Sequence, residues 1–263
     1  MTIGSATSAR EDDAPDSLSH IPMDALPSVD HTLPLKLLPF VLSLVAGSLD
    51  MIGFLGLDGL FTAHITGNLV ILAAKVIAHD PSPWSCAIAV PVFMIMIGLA
   101  RLLVAGLDRL RLPSLLPLLF LQLGFLLAFL GLCLAAGPHA DPHRAQIVVA
   151  SMLGVSAMAV QNLLVRISLS DAPSTAVMTT NITVFAIAVG DVLFGRDART
   201  VAKARERARH TWPAIVGFLI GCILGAVSEP ALGLAALVFP MGLSALALAL
   251  GLLNALLSPI PSR

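Results

Sequence analysis

The chain has 263 residues, 57% of them hydrophobic and only 12% charged, about half the charge of an average soluble domain. So little polar surface cannot clothe a water-soluble globule, and the mean hydropathy of +0.93 says the same. The 15 Lys and Arg against 16 Asp and Glu leave no basic excess for nucleic acid. A polytopic membrane protein, all-α and facing a lipid bilayer, is the class that remains.

Residues 1–34 are polar, acidic (Glu11, Asp12, Asp13, Asp16, Asp24, Asp30) and broken by Pro15, Pro22, Pro27 and Pro34. They lack the basic start, apolar run and cleavage site of a signal peptide, and read as a disordered cytosolic tail. A transmembrane domain follows over 35–257, and 258–263 form a short C-terminal tail. Its apolar segments fall at roughly 37–57, 60–78, 84–107, 114–136, 145–166, 174–195, 212–229 and 231–256. The second and sixth begin with polar residues, so each is either a span or a half-helix that enters and returns. The count is therefore six to eight spans.

Cys86, Cys133 and Cys222 stand singly inside apolar segments, which excludes a disulfide framework and a thiolate metal site. The strongest basic cluster, Arg196, Arg199, Lys203, Arg205, Arg207 and Arg209, marks a cytoplasmic loop able to lie as a short helix on anionic headgroups. With eight spans and both termini inside, eleven basic residues are cytoplasmic and four (Arg101, Arg109, Arg111, Arg166) are not. Arg109 and Arg111 fit this poorly, and a non-spanning segment would move them inside.

Two stretches share an order of features. Asp50 in an apolar run is followed by His64, Thr66, Gly67 and Asn68 at the start of the next segment; Gln161 and Asn162 are followed by Thr179, Thr180 and Asn181. Each is followed by a Trp (Trp84, Trp212) that opens another helix. Two internally repeated halves, about 35–137 and 143–257, describe this economically. An even number of spans per half makes the repeats parallel, and one non-spanning segment per half makes them inverted.

The run Ala46-Gly47-Ser48-Leu49-Asp50-Met51-Ile52-Gly53-Phe54-Leu55, then Phe61-Thr62-Ala63-His64-Ile65-Thr66-Gly67-Asn68, resembles the signature of the YoaK-like bacterial membrane proteins. So does Met158-Ala159-Val160-Gln161-Asn162 followed by Val177-Met178-Thr179-Thr180-Asn181, although Thr180 stands where the pattern has Gly, as at Gly67. The resemblance covers the membrane part and omits the acidic tail. It implies a multi-pass protein of the bacterial inner membrane, from a family of unknown function with no catalytic residues to carry over.

Asp50 is costly at bilayer depth, about 2.5–3.5 kcal/mol on insertion scales, so it must pair, face water or be protonated. Function reads it as a proton or cation site; packing reads it as a carboxyl satisfied by His64 or Asn162. His64, Thr66 and Asn68, with Thr179, Thr180 and Asn181 as counterparts, either cap helices at the interface or line a central solute site. Gln161 and Asn162 either bind neighbouring helices or face that site. Gly217, Gly221 and Gly225 form a small-residue stripe for packing within the bundle or between protomers of a homo-oligomer.

No second His or carboxylate stands three or four residues from His64, so no metal is expected, and no nucleotide, zinc-protease or serine-hydrolase motif implies a cofactor or catalytic set. The leading expectation is a secondary transporter or facilitator of a small polar or charged solute or a proton. Its site would be Asp50, His64, Thr66, Asn68, Gln161, Asn162, Thr180 and Asn181. A membrane enzyme using an Asp50/His64 acid–base pair and a non-catalytic scaffold are the alternatives, enzyme activity being the less expected.

Overall fold

The computed structural model describes residues 33–80, 84–169 and 172–257, all-helical among those residues with no strand. The expected tails at 1–34 and 258–263 lie outside them, except that Leu33 and Pro34 open the first helix. The helices are α1 Leu33–Gly56, α2 Ile65–Ile77, α3 Trp84–Arg109, α4 Leu115–Ala136, α5 Ala145–Ser168, α6 Met178–Phe194, α7 Ala198–Leu232 and α8 Val238–Leu257. A short 3-10 turn at Gly233–Leu237 joins the last two.

Five stretches are long and apolar enough to cross a membrane: α1, α3, α4, α5 and the continuous 198–257. The fifth folds back on itself at Gly233. That glycine sits at φ +56°, and a side chain there would strike the Pro138 carbonyl, while Leu234 N–H donates to the same Pro138 oxygen at 2.7 Å. The hairpin is thereby fastened to the α4–α5 loop.

Glycine sets the closest packing. Gly217 meets Phe40 and Ser43, Gly221 meets Leu44 and Ser48, and Gly225 meets Ser48 and Met51, so α7 runs parallel to α1 with backbones nearly touching. The stripe read from the sequence is therefore closed within the chain. Helix α1 packs on α7 and α8, and α5 packs on α3 and α4; α2 lies on α3, and α6 on α7. Of their most apolar windows, 67% of α1 and 72% of α5 is buried, against 17% of α3. These two are the central helices, and α3 presents apolar surface outward.

One end of the bundle holds the start of α1 and the ends of α5 and α8: Ser168 Oγ meets Ser114 Oγ at the start of α4 (3.0 Å), and Gly251 lies against Leu116 and Leu119. The other end holds the end of α1, where Asp58 is paired with Lys75 of α2 and approached by His143 of the α4–α5 loop at 3.7 Å. Helices α2 and α6, of 13 and 17 residues, are about 20 and 26 Å long, short of a bilayer core of about 30 Å. Each starts at the depth of a mid-helix polar residue and returns to the end from which its loop came. The loop 57–64 and the described loop residues 172–177 enter from opposite ends.

Candidate functional site

The first loop is anchored on Asp50, which is 3% exposed. Its Oδ1 accepts from the Ala63 N–H at 2.6 Å and the Thr62 hydroxyl at 3.2 Å; its Oδ2 meets His64 Nδ1 at 2.8 Å. A carboxylate accepts all three without leaving an oxygen bare, which answers the insertion cost by pairing. The second loop is anchored on Gln161, fully buried, whose Nε2 donates to the Thr175 hydroxyl at 3.0 Å and the Leu42 carbonyl at 2.9 Å; its Oε1 accepts from Gln122 Nε2 at 2.8 Å.

Asparagine then closes each loop. Asn68 accepts from Phe61 N–H at 2.8 Å and donates to the Phe61 carbonyl at 2.7 Å, while Asn181 donates to the Ser174 carbonyl at 2.6 Å. Both reach back seven residues. Neither short helix has a side-chain N-cap bond, contrary to the expectation that Thr and Asn cap their own first turns. The amides are spent on the incoming loop, and the helix starts, which carry partial positive charge, are left for whatever lies beyond them.

Alignment on these bonds shows a signal that the sequence reading missed. Thr62-Ala63-His64-Ile65-Thr66-Gly67-Asn68 and Thr175-Ala176-Val177-Met178-Thr179-Thr180-Asn181 share the pattern Thr-Ala-x-x-Thr-x-Asn. Thr62 and Thr175, the hydroxyls that bond the anchors, were legible in it. The Gly67/Thr180 mismatch has a local cause: a methyl on Gly67 would meet the Phe61 ring at 2.9 Å, whereas Ser174 stands in the place of Phe61 and Thr180 is exposed.

Between the two helix starts lies a cavity of about 820 Å³. Ala63, His64 and Thr66 line it from the first loop and α2, and Ser174, Thr175 and Thr179 from the second loop and α6; Asn162 and Arg166 of α5 and Phe93 and Ile97 of α3 complete the wall. Of the eight residues expected in the site, His64, Thr66 and Asn162 thus face the cavity. Asp50, Asn68, Gln161 and Asn181 stand behind it as buried supports, and Thr180 is exposed outside its lining. Arg166 and Thr175 belong to the wall though absent from the expected set, as does Thr179, which reads as a counterpart of Thr66 but stands outside those eight. Cys86, Cys133 and Cys222 are free thiols. No group of three metal-binding side chains gathers among the described residues.

Several long apolar helices around buried, paired polar residues define a multi-pass membrane protein. A family model described as a protein of unknown function (DUF1275) matches residues 38–250, and the chain belongs to that family, which includes the YoaK-like proteins. No curated protein and no solved structure matches the chain.

Proposed function

We propose that the protein is a secondary transporter or facilitator of a small solute, with the cavity between α2 and α6 as its binding site. The observation that carries this reading is the pair of half-helices, entering from opposite ends, whose starts bound one cavity. Discontinuous helices meeting near mid-bilayer are how many transporters build a solute site, because helix starts offer free N–H groups where lipid-facing backbone could not. A cavity of about 820 Å³ also lies within the usual range for small-molecule sites, about 300–1,000 Å³.

Six crossings (α1, α3, α4, α5, α7, α8) and two re-entrant half-helices are the topology we infer. Each half, α1–α4 and α5–α8, then has three crossings, so the repeats are inverted. The packing supports this: α1 on α7 and α8 mirrors α5 on α3 and α4, and α2 on α3 mirrors α6 on α7. Arg101, Arg109, Arg111 and Arg166 join the basic cluster at one end, leaving Lys75 and Arg144 at the other, which supports cytoplasmic termini in an inner membrane.

The Asp50–His64 separation of 2.8 Å also meets the distance an acid–base enzyme needs. The transport reading accounts for more, since an enzyme has no need of a second, oppositely entering half-helix. A dry scaffold does not account for the cavity. Flux in proteoliposomes tests the reading, with gradients of inorganic cations, inorganic anions, organic acids, amines and neutral polyols imposed in turn. Wild-type protein moves one of these classes, and Asp50→Asn, which keeps the shape of the anchor, loses proton-coupled movement. A folded wild type that moves none of them contradicts the proposal.

A further inference from the structure

The charge on the cavity wall is one-sided. Among the described residues, His64 and Arg166 are its only charged or titratable lining groups, and no described Asp or Glu lines it. Arg166 makes no ion pair among the described residues. Asp50 stands behind the wall, where the Ala63 N–H and the Thr62 hydroxyl donate to one of its oxygens. Phe93 and Ile97 of α3, Leu163 and Val165 of α5 and Ala172 at the second loop give the wall an apolar side, and Thr66, Asn162, Ser174, Thr175 and Thr179 give it neutral polar groups.

Around His64 stand Asp50 from α1, Phe218 from α7 with its ring centroid 5.5 Å away, Phe61 from the same loop at 6.2 Å, and Arg166 from α5 among the other cavity residues. Cys222 lies one turn beyond Phe218, and no charged side chain of α2, α3 or α6 lines the cavity. In the tautomer that donates Nδ1–H to an Asp50 carboxylate, Nε2 is bare and the dyad carries one negative charge. A proton on Nε2 makes it neutral. Arg166 then remains as a single uncompensated cation, beside two helix starts of partial positive charge.

We infer that this cavity binds an organic monoanion, a carboxylate with an apolar body, together with one proton taken up at His64 Nε2. The inference deepens the transport reading and rests on it for the passage of both species across the membrane. The proton comes from water on the open face, forms one N–H bond while Nδ1–H stays on Asp50, and leaves when the anion leaves. Asp50 is the positioning residue of this step and His64 its carrier. Binding of anion and proton is reciprocal, each raising the affinity for the other.

The test is binding to the whole protein in neutral-lipid nanodiscs at matched ionic strength, using butyrate and benzoate against butyramide and butylammonium. Butyrate and benzoate bind, the amide and the ammonium do not, and affinity falls about tenfold per pH unit once the pH exceeds that at which His64 loses its proton. In His64→Gln the affinity no longer follows pH. In Arg166→Gln, an exposed position outside the Asp50 network, it falls at least about tenfold at every pH, the loss of one charge-assisted contact. Butylammonium or butyramide binding as tightly as butyrate, no member of the series binding, or an unchanged pH profile in His64→Gln each overturns the inference. Pairing this test with access from the two faces separates the claims. Proton-linked butyrate binding in a site open to one face removes transport alone; access from both faces with butylammonium bound removes the anion alone.

Discussion

The starts of the two short helices, α2 and α6, share one pattern of bonds and are anchored with different chemistry. In each, a Thr hydroxyl bonds a mid-helix polar residue and an Asn reaches back seven residues to hold the loop. The first anchor is the carboxylate of Asp50, the second the neutral amide of Gln161. Gln161 fixes its loop without any charge, so the fold-back does not in itself require a carboxylate. His64 is the partner that needs one, and Val177 occupies the equivalent place in the second half. On the transport reading, the difference assigns Asp50 to holding an imidazole that faces the cavity.

Removing the anchors breaks the comparison most sharply. Asp50→Ala leaves a buried N–H, a hydroxyl and an imidazole without their acceptor, and costs about 3–5 kcal/mol. Gln161→Ala costs about 1–2 kcal/mol, because only neutral bonds are lost. Denaturation in detergent followed by helicity measures both, and equal losses would erase the distinction between the anchors. The asparagines come next. Asn68→Ala, which loses two bonds to Phe61, destabilises by about 2 kcal/mol, and Asn181→Ala, which loses the bond to Ser174, by about 1 kcal/mol.

The Gly67/Thr180 mismatch sharpens the comparison at a finer scale. Gly67→Thr crowds the Phe61 ring and costs about 1–3 kcal/mol, and Phe61→Ser in the same chain recovers much of it by reproducing the second half's pairing. A melting-temperature cycle over the two single variants and the double reads this coupling; strict additivity would disprove the local explanation. The smallest effect lies outside the membrane, at the cap of α7. The Thr200 hydroxyl, followed by the backbone N–H groups of Thr200 and Arg199, holds the Asp197 carboxyl below its ordinary value. A lowered folded value means that its contribution is complete at neutral pH and fades as pH falls through that value. Asp197→Asn therefore lowers the melting temperature slightly at neutral pH and not in strong acid, as a pH series of melts would show.

Much of this was legible in the sequence, and the limits have physical causes. Each apolar segment became a helix, because lipid leaves the backbone no other partner. The polar openings of segments two and six marked the helices that proved short, with the loop residues 60–64 and 174–177 outside them. The stretch 198–211 read as a basic loop able to form a short helix, and it is helical but continuous with α7: Asp197 caps it, and its Ala, Arg, Lys and Glu residues favour helix. Asp50, His64 and Asn68 were singled out by cost and rarity. Thr62 and Thr175 escaped because a threonine in an apolar chain costs little, and only the shared Thr-Ala-x-x-Thr-x-Asn spacing distinguishes them. Arg166 read as a topology signal, since nothing in its own segment shows that residues 172–177 come to line a cavity with it.

On the transport reading, the two helix starts share a water-filled cavity reached from both faces of the membrane. Single cysteines at Thr66 and Thr179, in a background with Cys86, Cys133 and Cys222 replaced, test it with small water-soluble thiol reagents applied to one face at a time. The prediction is that both positions react from either face, and that a bound solute protects both together. Thiols that react from neither face in folded protein, or each only from the face its own loop enters, would contradict it.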